Sequence, residues 1–125
     1  MTMANLGQSG IILPVAARTA LATGKTITNR GGGTELLVFI DIALDPAAAA
    51  VTFLIDGLDV ASGNWYNILT SAALAATGKT ILRVSTRLTA SANLIAKDIV
   101  PHEFRGRTTV ADADSMTYSM GYSLA

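Results

Sequence analysis

The last ten residues, MTYSMGYSLA, alternate without a break. Met116, Tyr118, Met120, Tyr122 and Leu124 are large, and Thr117, Ser119, Gly121, Ser123 and Ala125 between them are small. Successive side chains of a β-strand point to opposite faces, so the pattern predicts an antiparallel strand with one face in a core and one in solvent. A strand that regular needs partners, and the rest of the chain supplies candidates. Val51-Thr52-Phe53-Leu54-Ile55 reads as a strand with Val51, Phe53 and Ile55 on one face. Trp65 to Leu69, Ile81 to Thr86 and Phe104 to Val110 read likewise, the last with Arg105 and Arg107 on the face opposite Phe104 and Thr108. Leu36 to Leu44 is nearly continuous in apolar residues, which predicts a strand buried on both faces.

Between these runs lie turn signals: Arg30-Gly31-Gly32-Gly33, Asp45-Pro46, and the stretch DGLDVASGN from Asp56 to Asn64. Short helical turns are conceivable only over 47–50 and 91–97. Short strands at this spacing predict an all-β chain, an antiparallel β-sandwich of jelly-roll type or a partly open barrel. The first 14 residues divide from this body. They carry Gly7 and Gly10, then Ile11-Ile12-Leu13, then Pro14, which restricts the segment to an edge strand or an arm. The expectation is an extended arm over 1–14 and one sandwich domain over 15–125.

The hexapeptide ATGKTI occurs at 22–27 and again at 76–81. A phosphate-binding loop needs a further glycine five residues before the one preceding lysine, because the loop must curl its amides onto the phosphates. Thr19 and Ala73 stand at that place. Both copies are therefore read as hairpin turns with Gly at a positive-φ position, and no cofactor is expected.

Composition narrows the function. Half of the 125 residues are hydrophobic, only 14% are charged, and nine basic residues balance nine acidic ones. The basic residues are scattered, which argues against nucleic acid as a partner. The apolar run at 36–40 ends at Asp41, far short of the ~20 residues of a membrane-spanning helix. The N-terminus lacks the positive start and long apolar middle of a signal peptide. A small, weakly charged and apolar domain is expected to cover surface by association, so a homo-oligomer is anticipated.

Several residues invite a chemical reading. His102, the one histidine, has no G-x-S-x-G elbow elsewhere in the chain to complete a triad. Asp112-Ala113-Asp114-Ser115 begins like a calcium loop, but Thr117 and Ser123 replace the glycine and glutamate that such a loop requires. With no cysteine there is neither a disulfide nor a thiolate metal site. Asp56 and Asp59, near Trp65 and Tyr66, allow a glycosidase pair or a sugar-stacking platform; the competing assignment buries Trp65 in the core or against a neighbouring subunit. Arg105 and Arg107 either face solvent or pair with acidic groups of a partner. No catalytic or metal-binding residue is assigned. The candidate interface residues are Ile11, Ile12, Leu13, Trp65, Tyr66, Arg105 and Arg107.

Two stretches resemble a group of small virion structural proteins of tailed bacteriophages. DGLDVASGNWYNILTSAAL is similar to that group's D…SG-x-W-Y-x-L segment. LTASANLIAKDIVPHEFRGRTTVADADSMTYSMGYSLA is similar to its C-terminal half, at Leu88, Thr89, Asn93, Pro101, Phe104, Arg105, Ser115, Thr117, Tyr118, Ser119 and Gly121. ARTALATG at 17–24 resembles its N-terminal ARTATG, while Phe104 stands where that group is expected to carry tryptophan. The resemblance implies a β-rich, non-enzymatic component of the virion: a capsid decoration or cement protein in contact with the major capsid protein, or a neck, tail or baseplate protein. The rival from another class is a carbohydrate-binding or adhesin module.

Overall fold

A computed structural model describes residues 7–125. Ten strands run through it: β1 (Gln8–Arg18), β2 (Ala22–Thr23), β3 (Ile27–Thr28), β4 (Glu35–Leu44), β5 (Val51–Asp59), β6 (Asn64–Thr70), β7 (Gly78–Ser85), β8 (Ile95–Ala96), β9 (Glu103–Val110) and β10 (Met116–Leu124). No helix occurs among the described residues. The segments 47–50 and 91–97 are loop and turn apart from the two residues of β8.

The strands form two sheets, ordered β1-β10-β4-β7-β8 and β2-β9-β5-β6, with β3 beside β2 on β9. The pairings are nested: β1 with β10, β2 and β3 with β9, β4 with β7, β5 with β6. One long, folded hairpin is thus rolled up until β10 also pairs with β4 and β9 with β5. That is the jelly-roll winding, a two-sheet sandwich rather than a closed barrel. β8 is a two-residue addition, parallel to β7.

The core lies between the sheets. Met116, Tyr118, Met120, Tyr122 and Leu124 are all buried, as the alternation in β10 predicts. They meet Val51, Phe53 and Ile55 of β5 and Phe104 of β9. Two edge-to-face aromatic pairs join the sheets, Phe53 with Tyr118 at 5.1 Å and Phe104 with Tyr122 at 5.7 Å. The Tyr118 hydroxyl, deep in this apolar layer, is 2.8 Å from Thr108 Oγ1, which also accepts from the Ala22 amide. Both buried hydroxyls are thereby matched.

Several expectations are corrected. Residues 8–14 are not an arm: they begin β1, the edge strand of the first sheet, and Ile12 and Leu13 are part of the core. Pro14 sits at a register shift between Leu13 and Ala16, where a missing amide disrupts no ladder. The part of the arm over 1–6 lies outside the described residues. β4 is buried on one face only, with Leu36, Val38, Ile40 and Ile42 inside. Neither ATGKTI copy is a hairpin turn. The first is a bulge, in which the six residues from Ala22 to Ile27 span five of β9, from Thr108 back to Phe104. The second ends the crossing between sheets and starts β7, with Gly78 at φ 145°.

Candidate functional site

The sequence candidates separate onto three places. Ile12 and Leu13 are interior. Trp65, Arg105 and Arg107 gather on the outer face of the β2-β9-β5-β6 sheet. Ile11 lies on the outer face of the other sheet.

The cluster on the second sheet is built by register. Asp56 of β5 stands directly opposite Arg105 of β9 and Asn67 of β6, and Arg107 lies one outward position along. Leu58, the next outward residue of β5, pairs with Trp65. Asp56 is only 1% exposed, yet it points away from the core. It is covered by its own partners. Arg105 Nε donates to Oδ2 at 3.2 Å, and Arg107 Nε donates to the same oxygen. Asn67 Nδ2 donates to Oδ1 at 3.3 Å. Burial pushes the Asp56 carboxyl upward, but the hydrogen bonds from Arg107, Asn67 and Arg105 outweigh it and hold the group below the usual carboxylate range. The Arg105 guanidinium in turn lies over the Trp65 ring, 4.3 Å from its centre.

These contacts decide between the alternatives. Arg105 and Arg107 pair with an acidic group of their own chain. Trp65 is half-buried beneath Arg105 and is not a core residue. Tyr66, its neighbour in β6, is 59% exposed, and strand geometry turns it to the opposite side, so the two rings do not form one stacking platform. Asp56 is a strand residue, whereas Asp59 closes the following turn by accepting from the Ala61 amide and the Ser62 hydroxyl. Those bonds lower the Asp59 pKa as well. The two carboxylates therefore have separate structural tasks. His102 is exposed just before β9, and its carbonyl accepts from the Asn29 amide at 2.7 Å. Asp112 Oδ1 accepts from the Asp114 amide, an ordinary turn. Among the described residues no group of three or more His, Cys, Asp or Glu side chains is placed to hold a metal ion.

The outer face of the first sheet is different in kind. Ile11, Gly121, Phe39 and Ile81 stand opposite one another across β1, β10, β4 and β7. Ile11 is 63%, Phe39 41% and Ile81 38% exposed. A depression of about 280 Å³ lies over the row, lined by Phe39, Ile81, Gly121, Asp41, Lys79 and Ser119. The sequence reading picked Ile11 and missed the others. The available signal was the unbroken apolar run of β4, which already shows that its outward positions are apolar too.

No protein family and no curated protein matches the sequence. Solved structures share the fold. The SPBc2 prophage-derived protein YomS superposes with a TM-score of 0.52 at 13% identity, over 95% of this chain and 93% of that one. A chain of the structure of infectious bursal disease virus, Gx strain, superposes with a TM-score of 0.51 at 7% identity, over 97% of this chain and 32% of that one. The present chain therefore spans about a third of the virus chain.

Proposed function

We propose that this chain is a structural protein of a tailed-bacteriophage virion, without catalytic activity, that decorates the capsid shell. It would stabilise the shell through contacts with the major capsid protein and with other copies of itself. The observation that carries the reading is the fold. A jelly-roll sandwich of this length superposes end to end on a prophage-derived protein, and again on part of a virus chain. The same sandwich architecture serves viral capsid and lectin domains, so fold alone gives a class and not a site. The surfaces supply the rest. One face is an apolar row and the other a hydrogen-bonded guanidinium cluster, a combination suited to broad protein contacts. The adhesin alternative loses its main support because Trp65 is covered by Arg105 and Tyr66 points elsewhere. A neck, tail or baseplate position uses the same surfaces and differs in the partner.

The test is co-sedimentation of the purified chain with capsid shells assembled without it, together with the heat resistance of those shells. Saturable binding and a raised disruption temperature are expected. Binding to purified tails but not to shells would move the protein to the tail, and binding to neither would end the virion reading.

A further inference from the structure

We propose that the outer face of the β1-β10-β4-β7 sheet docks a second copy of this chain, face to face, about a two-fold axis that runs between β10 and β4. The inference deepens the self-association part of the reading above, and its test uses the free chain, so that it holds or fails independently of any particle.

The first observation is Gly121. It lies mid-strand in β10, between two partner strands, where glycine weakens a sheet and supplies no side chain to pack. Other strand glycines have a reason within the chain. A Cβ at Gly106 would lie 2.8 Å from Ile12 Cγ2 and 2.9 Å from Met120 Cε, and one at Gly57 would lie 2.7 Å from Pro101 Cγ. Gly121 has neither reason: its φ is not positive, and a Cβ there would meet only the Gly10 carbonyl, at 3.4 Å. An empty outward position of that kind fits a body approaching from outside.

The second observation is the order of the row. It reads Ile11, Gly121, Phe39, Ile81 from edge to edge. Turned over about an axis between the second and third positions, it places Phe39 of one copy over Gly121 of the other, and Ile11 over Ile81. Each copy carries both the knob and the hole. Such self-complementarity is what an isologous interface needs.

Charge agrees with the same register. In the row on one side, Ser119 faces Asp41 within the sheet, and the two-fold places each Asp41 carboxylate over a Ser119 hydroxyl of the other copy. On the other side, Leu37 falls over Ser123 and Arg83 over Ser9. The two Asp41 residues then lie one strand apart across the axis, each with Lys79 of its own chain opposite it in register, and no charge falls directly over one of like sign. Four strands ~4.8 Å apart, with outward side chains along β4, present roughly 500 Å². That is below the ~800 Å² per partner of a standard interface. The free dimer is accordingly weak, with a Kd on the order of tens of micromolar.

Sedimentation equilibrium over a concentration series tests this. The wild-type chain is expected to pass from monomer to dimer. Phe39→Gly leaves hole facing hole, and Gly121→Phe makes knob meet knob, so each should weaken the dimer at least tenfold. The double substitution Phe39→Gly with Gly121→Phe exchanges knob and hole and should restore it. Ile11→Lys, at an exposed edge position, probes the same face in a chain whose core is untouched, and circular dichroism verifies that each variant is folded. A wild-type chain still monomeric at about 1 mM, well above that Kd, overturns the proposal. So does a dimer indifferent to Gly121→Phe and Ile11→Lys, or a folded double variant as monomeric as the single ones.

Discussion

At the scale of single residues, Asp56 is the one buried charge among the described residues. Its carboxylate is buried and satisfied by two guanidinium groups and an amide. Removing the acid leaves two arginines crowded without their counter-charge, so Asp56→Ala should cost about 3 kcal/mol, the low end for a buried pair because both arginines are partly exposed. Chemical denaturation measures it. The pH dependence has a definite sign. The folded-state pKa is lowered, so the stabilisation is complete above the unfolded value near pH 4 and is lost as the pH falls through the folded value. Asp56→Asn should flatten that acid limb. Trp65 carries less. It is half-buried beneath Arg105, so Trp65→Ala should cost about 1–2 kcal/mol, well below the ~3–5 kcal/mol of a core aromatic. Gly106 gives the converse case. An added methyl would collide with Ile12 and Met120 in the packed core, so Gly106→Ala should destabilise by about 1–3 kcal/mol in the same assay.

At the scale of elements, β1 changes the meaning of the N-terminus. It pairs with β10 and places Ile12 and Leu13 in the core. A chain lacking residues 1–13 should lose much of its stability, since each of the two side chains is worth about 2–5 kcal/mol against a total of about 5–15. Thermal unfolding followed by circular dichroism should show a collapsed or absent transition. A normal transition would mean that the strand contributes nothing. The elements themselves were largely legible. β10, β5 and β9 follow from alternation, because the period of two is written residue by residue. The inward and outward faces of β9 were legible as well. What was not legible depended on distant partners. Ile11-Ile12-Leu13 reads equally as a latch or an edge strand until β10 lies beside it. Asp56 opens a turn-like DGLD, and its place in a strand depends on pairing with β6 and β9 and on Asn67, Arg105 and Arg107, the arginines about fifty residues on. Gly24 in the first ATGKTI looks like a turn glycine. Its actual constraint is Ile12 Cγ2, which a Cβ would approach to 2.7 Å.

At the scale of the whole molecule, the two sheets share a core but present unlike outer faces. One is polar, with two guanidinium groups held on the Asp56 carboxylate, and the other carries an apolar row across four strands. That division accounts for the composition. Much of the hydrophobic half of the chain fills the space between the sheets, and Ile11, Phe39 and Ile81 extend it onto one outer face, while Asp56, Arg105 and Arg107 cluster on the other. Under the proposed role, two such faces would let the chain meet its own copies on one and a shell on the other. The jelly-roll order could not be read from the sequence, because every pairing, apart from β5 with β6 and the short β7 with β8, joins strands that are not consecutive. The most direct test of the proposed virion role is the protein content of purified phage particles produced from a genome that carries this sequence, quantified by mass spectrometry. The account predicts the chain in a fixed, high ratio to the major capsid protein after density-gradient purification. Particles free of the chain, with the protein abundant in the lysate that produced them, would contradict it.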